Sequence, residues 1–115
     1  MATTRFGDGP AMNHVLELER SPLYLRVVED EDGGIDALDA LEDEATPGEK
    51  IYAYRRDGEP SYGFSCSRGK GCKKFSMVTY NLHTEQPTDD EARDVEKWKA
   101  WTAAQYAKEG GGEHG

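Results

Sequence analysis

The nine residues CSRGKGCKK, positions 66–74, hold both cysteines of the chain and four of its cations. Four kinds of chemistry use such residues. A structural zinc site needs four ligands, with paired cysteines usually separated by roughly two to four residues. Here five residues lie between Cys66 and Cys72, and His14 and His83 are too distant in sequence to complete a second pair. No metal site is expected. A redox pair would draw on Arg68, Lys70, Lys73 and Lys74 to lower its thiol pKa, yet the spacing is not that of C-x-x-C enzymes. If the glycines form a simple hairpin loop, the cysteines face each other within disulfide reach. In a reducing cytosol they would stay thiols.

A phosphate cradle is the third possibility. Gly69 and Gly71 let backbone amides approach an anion, and the cations add charge. The segment lacks P-loop spacing, and a strand pattern follows it where that motif requires a helix. The fourth is a nucleic-acid contact, in which Arg55, Arg56, Arg68, Lys70, Lys73 and Lys74 meet phosphates. Tyr52, Tyr54, Tyr62 and Phe75 would offer stacking surfaces. The plain alternative is a solvated hairpin tip.

Catalytic signatures are missing. There is no H-E-x-x-H, no G-x-S-x-G and no Walker lysine. Cys66 with His83 can be written as nucleophile and base, but any chain holding one of each permits that. No enzyme activity and no cofactor are expected.

Charge is distributed unevenly. The chain carries a formal −9, which argues against binding polyanions or acidic membranes over the whole surface. Residues 29–49 hold ten acids and no base, whereas residues 50–74 hold seven bases and two acids. These territories either neutralise each other or form separate faces, one of which meets a partner. No apolar run approaches the roughly 20 residues of a membrane-spanning helix. The first residues show no secretory pattern. A cytoplasmic location is expected.

The elements that position these residues follow from periodicity. Residues 1–12, rich in Gly, Thr and Pro, read as a flexible lead-in. Residues 14–19 alternate apolar and charged, and residues 23–28 form the best strand pattern. In residues 35–45 Ile35, Leu38 and Leu41 fall three apart, which predicts a short acidic helix over 36–44. Residues 51–56 and 62–66 read as strands. So do residues 75–82, with a bulge near Met77 to reconcile two parities. Thr88 and Glu91 match a capping box. The following helix, to about Lys108, carries Val95, Trp98, Thr102 and Tyr106 on one stripe, with Trp101 at its edge as a surface aromatic. Residues 109–115 should be a disordered tail.

The expected fold is α+β: a mainly antiparallel sheet of four to five strands, a short acidic helix, and a C-terminal amphipathic helix packed on one face. Residues 13–108 would form a single domain. Length fits one modest core, although Leu, Ile, Val and Phe number only 17.

Residues 21–56, SPLYLRVVEDEDGGIDALDALEDEATPGEKIYAYRR, resemble small uncharacterised proteins of actinobacterial phages. In those a strand ending in LRVV, a DALD helix and an IYxYR strand recur. The resemblance implies expression inside an infected bacterium and carries no activity or site residue. The function expected is a non-catalytic accessory protein that modulates a host macromolecule. Its contact would be the acidic helix, with Asp36, Asp39, Glu42 and Asp43 meeting a host or phage protein of basic surface. The alternative is a nucleic-acid binder using the basic hairpin. An uncovered strand edge would also allow a homodimer.

Overall fold

A computed structural model describes residues 2–40, 44–69 and 71–109. Among the described residues seven strands precede two helices: β1 (Ala2–Phe6), β2 (Val15–Leu18), β3 (Tyr24–Glu29), β4 (Ile35–Leu38), β5 (Lys50–Arg56), β6 (Ser61–Ser67), β7 (Gly71–Leu82), α1 (Asp89–Arg93) and α2 (Val95–Lys108). The class is α+β, and the sheet has more strands than the four to five expected. Its order is β2-β1-β7-β5-β3-β4, with β6 paired to β7 off this path. Every ladder is antiparallel except that of β1 with β7.

Alternation decides the inner face. Ala2 and Phe6 of β1, Leu18 of β2, Leu25 and Val27 of β3, Tyr54 of β5, and Val78 and Tyr80 of β7 form one buried cluster. Ile35 and Ala37 of β4 pack against it. The sheet curls around this cluster until its outermost strands, β2 and β4, come alongside each other. Asp39 ties them, its Oδ2 accepting the N–H groups of Glu19 and Arg20 at 3.0 and 3.3 Å. The loop after β1 closes one end. Tyr54 Oη donates to the Asp8 carbonyl at 2.9 Å and accepts the Ala11 N–H at 3.0 Å. Gly9, at φ 73°, is needed there, because a Cβ would lie 2.5 Å from that hydroxyl.

The helical segment covers part of the outer face. Trp98 and Trp101 stack at 5.0 Å and pack with Tyr24 and Ala53. Trp101 is therefore a core residue, not the surface aromatic expected. The buried stripe runs through Ala92, Trp98, Trp101 and Gln105, and leaves Tyr106 half exposed. Arg26 is buried between sheet and helix. It donates to the carbonyls of Ala92 at 3.2 Å and Ala40 at 3.0 Å, with its guanidinium 5.6 Å from the Trp98 ring centre. The Thr88–Glu91 capping box forms. The expected single helix breaks at Asp94, whose extended backbone ends α1 and whose Oδ1 caps α2 through the N–H groups of Glu96 and Lys97.

A second clasp lies at the end of β7. Gln105 donates to Glu85 at 2.8 Å, so its amide oxygen is the atom that faces His83 Nε2 at 2.9 Å and accepts its proton. Bonds from Lys108 and Gln105 hold the Glu85 carboxyl below the usual carboxylate range.

Three expectations are corrected here. The helix predicted over 36–44 is replaced, at Ile35–Leu38, by β4, which pairs antiparallel with β3 from Arg26↔Leu38 to Glu29↔Ile35. Residues 2–6, expected in a flexible lead-in, form β1 between β2 and β7. The bulge near Met77 is not needed. The β6 and β1 registers run unbroken past it, and Phe75 and Met77 simply lie on the face opposite Val78 and Tyr80. Of the expected tail, residues 109–115, Glu109 is held by Arg55 Nε at 2.9 Å, and residues 110–115 lie outside the described residues. Among the described residues no helix is long and apolar enough to cross a membrane.

Candidate functional site

β7 is shared along its length. Residues 76–80 pair with β1 and residues 80–82 with β5, while residues 71–77 pair with β6. The first part of β7 and most of β6 therefore extend past the curled sheet as an arm, two-stranded over residues 63–67 and 71–75 and flanked by β1 at its base along Ser76 and Met77, about 20 Å long at ~3.3 Å per residue. Cys66 lies directly opposite Cys72 and is joined to it by a disulfide, with 3.9 Å between the Cα atoms. The hairpin reading of the spacing is thus met, and the thiols expected in a cytosol are bridged instead.

Directly opposed residues share a face. Tyr62, Phe64 and the disulfide lie on one side of the arm with Lys74 and Ser76. Tyr62 is 67% and Phe64 71% exposed, and Lys74 Nζ sits 4.8 Å from the Tyr62 ring centre. On the other side Phe75 covers Gly63, where a Cβ would come within 2.9 Å of the ring. Arg68 is exposed at the tip. The arm thus presents two bare rings on a covalently closed ribbon with cations beside them.

The remaining candidates are dispersed. Arg55 bonds Glu109 at 2.9 Å through Nε and the Arg56 carbonyl at 2.8 Å. Arg56 bonds the carbonyls of Ser21 and Gly58 and pairs with Glu59 at 3.8 Å. Both guanidinia hold the fold together and stand outside the arm. Lys70 and the side chain of Lys73 lie outside the described residues. Of the stacking set, Tyr54 is interior, Tyr52 is half-buried with its hydroxyl on Glu29 at 3.3 Å, and only Tyr62 and Phe75 lie on the arm. Phe64 was missing from that set. The alternation Tyr62, Phe64, Cys66 signalled its side, but nothing local shows that no layer covers it.

The acidic set is not brought together as a contact. Asp36 is exposed on β4, with its Oδ1 accepting the Ala37 N–H at 2.8 Å. Asp39 is the strand tie described above. Glu42 and Asp43 lie outside the described residues. The acidic territory centres instead on the β3–β4 turn, where Glu29, Asp30, Glu31 and Lys50 line an open cleft of about 270 Å³. Asp30 builds this turn by accepting the N–H groups of Asp32 and Gly34. The β5 register places it at the end of the sheet away from the arm, since Lys50 faces Glu29 while Arg56 faces Tyr80. Among the described residues no ion pair joins residues 29–49 to residues 50–74.

Cys66 and His83 are not brought together: one is bridged in the arm, the other is bonded to Gln105 beside α2. Among the described residues no group of three or more His, Cys, Asp or Glu side chains could hold a metal ion. Comparison of the chain with protein-family models, curated proteins and solved structures finds no match.

Proposed function

We propose that this chain is a non-catalytic binding protein that captures a partner protein on the ring face of the β6–β7 arm. The exposure of Tyr62 and Phe64 side by side carries the reading. Aromatic rings cost little side-chain entropy to order and dominate the energy of protein contacts. A closed ribbon lowers the ordering cost further. Lys74 beside the Tyr62 ring, with Arg68 exposed at the tip, suits a partner whose apolar patch is rimmed by carboxylates. The phage resemblance supplies the setting, modulation of a host protein inside an infected bacterium. This moves the contact from the acidic segment to the arm.

The test is capture from an actinobacterial lysate with the protein immobilised. Tyr62→Ala with Phe64→Ala should leave the circular dichroism spectrum unchanged and weaken capture of the partner at least about tenfold. Unchanged capture by that variant, with loss on Asp30→Asn, Glu31→Gln and Asp32→Asn together, would assign the contact to the acidic turn instead.

A second reading, single-stranded nucleic acid stacked on the same rings, is favoured by the cation–ring pairing of Lys74 with Tyr62. It is opposed by the engagement of Arg55 and Arg56 and by the net charge of −9. Oligonucleotide affinity that falls steeply with salt would support it.

A further inference from the structure

The sequence of β6, SYGFSCS, contains no charge and no proline. Among the described residues it pairs with β7 alone, so one of its edges is open.

The direction of its backbone groups follows from β7. His83 N–H donates to Ala53, and Asp57 N–H donates to Thr79, both at the β5 side, while Gly7 N–H donates to Tyr80 at the β1 side. Odd-numbered residues of β7 therefore point their polar groups toward β5 and β6, and even-numbered ones toward β1. In the β6 register Ser61, Gly63, Ser65 and Ser67 face odd-numbered residues of β7. Their groups point inward, and those of Tyr62, Phe64 and Cys66 point out. The 3.9 Å separation of the Cys66 and Cys72 Cα atoms agrees, since close approach marks a non-hydrogen-bonded pair.

Proteins protect open edges with charge, proline, a bulge or a covering element. β2 and β4 lie against each other. The free edge of the arm on β7 carries Lys73 and Lys74 in its sequence. Only the β6 edge of the arm lacks such a device among the described residues.

We infer that β6 is a homodimerisation edge, pairing antiparallel with β6 of a second copy about a two-fold axis at Phe64. That register sets Phe64 opposite Phe64 and Tyr62 opposite Cys66 of the second copy. It uses every outward N–H and C=O of the strand in about six hydrogen bonds. Rings of both copies fall on one face, with each Tyr62 diagonal to the other copy's Phe64, within reach of aromatic contact. Just past the strand, Arg68 passes Pro60 of the second copy and comes beside Glu59, whose side chain is 88% exposed. Symmetry makes this contact twice. A heterologous strand has no such reason to match both ends, so the occupant is a second copy. The acidic turns lie at the far ends of the two sheets, where repulsion between two chains of −9 is least. The edge is distinct from the ring face, so this inference stands apart from the capture role. Pairing leaves Tyr62 and Phe64 on an exposed four-stranded platform.

Sedimentation equilibrium of the oxidised full chain tests it. The expected mass is twice 12.8 kDa. Phe64→Pro removes an outward N–H without touching the β6–β7 ladder and should raise the dimer dissociation constant at least about tenfold. Arg68→Glu or Glu59→Arg alone should weaken the dimer, and the two together should restore it. A monomer throughout the accessible concentration range would overturn the inference. So would a dimer indifferent to Phe64→Pro and to the charge reversals, or a monomer that accepts only a foreign peptide along β6. Glu59→Arg changes no residue of the capture face, so capture of a partner by that variant as a monomer separates the two proposals.

Discussion

Asp39 accepts the backbone N–H of Glu19 at 3.0 Å, joining the segment after β4 to the segment after β2. The same oxygen accepts from Arg20. One carboxylate thus does the work of a ladder between the two outermost strands. Asp39→Ala leaves both donors to water and should cost about 1 kcal/mol in urea denaturation. Asp39→Asn keeps an acceptor oxygen and should cost less. Asp36→Asn, on an exposed position of β4, should be near neutral, and equal losses at both positions would contradict this division.

Arg26 is the buried cation between sheet and helix. Arg26→Met keeps much of its volume but leaves the Ala92 and Ala40 carbonyls without its bonds. A loss of about 2–4 kcal/mol is expected, accompanied by a change in tryptophan emission because Trp98 lies against the guanidinium. A variant as stable as the parent would show that hydrophobic packing alone holds the helix there.

The phenols set an alkaline limit. Burial pushes Tyr80 well above its ordinary value of 10.0, and burial also raises Tyr54. A raised folded value favours the neutral form. The stabilisation is therefore complete below pH 10.0, where the unfolded phenols are still protonated, and is lost as pH climbs through the folded values. Unfolding should steepen above that pH. Tyr80→Phe gives up the bond to the Pro22 carbonyl and should cost about 1 kcal/mol at neutral pH, while flattening the alkaline decline. Titration by phenolate absorbance alongside circular dichroism reads both.

Reduction should loosen the arm and spare the curled sheet. The bridge closes a short loop, worth about 2 kcal/mol on the chain-entropy estimate, and it sits where only β6 and β7 pair. Reduced protein, or Cys66→Ser with Cys72→Ser, should exchange amides faster in residues 61–77, with Leu25, Val27 and Tyr54 still protected. Cooperative loss of the whole fold would show that the arm supports the sheet. In a reducing compartment the arm would hold its looser form.

Much of this was legible. β3 and β5 followed from alternation rich in Val and Tyr, and Thr88 with Glu91 marked the start of α1. β4 reads as a helix in the sequence because Ile35, Leu38 and Leu41 share a three-residue spacing. Ile35 and Ala37 also alternate, and pairing with β3 settles which period holds. β1 was hidden by the Gly, Thr and Pro around it, although Ala2, Thr4 and Phe6 alternate and all are buried. The cysteine pairing was visible as a geometric option. The open edge of β6 was not, because openness depends on what the rest of the chain leaves uncovered.

The parallel ladder joins Ala2 to Ser76 and Phe6 to Tyr80, among the longest sequence separations in the fold. A chain emerging from its N-terminus can make the β1–β2 hairpin early but cannot seal the sheet until β7 has been synthesised. Contacts of such separation slow folding and prolong exposure of unpaired edges. β6 precedes β7 in the sequence, so the uncharged strand waits for its neighbour while other nascent copies are nearby. Synthesis rate and crowding of neighbouring ribosomes therefore bear on whether the arm forms within one chain or is exchanged between two.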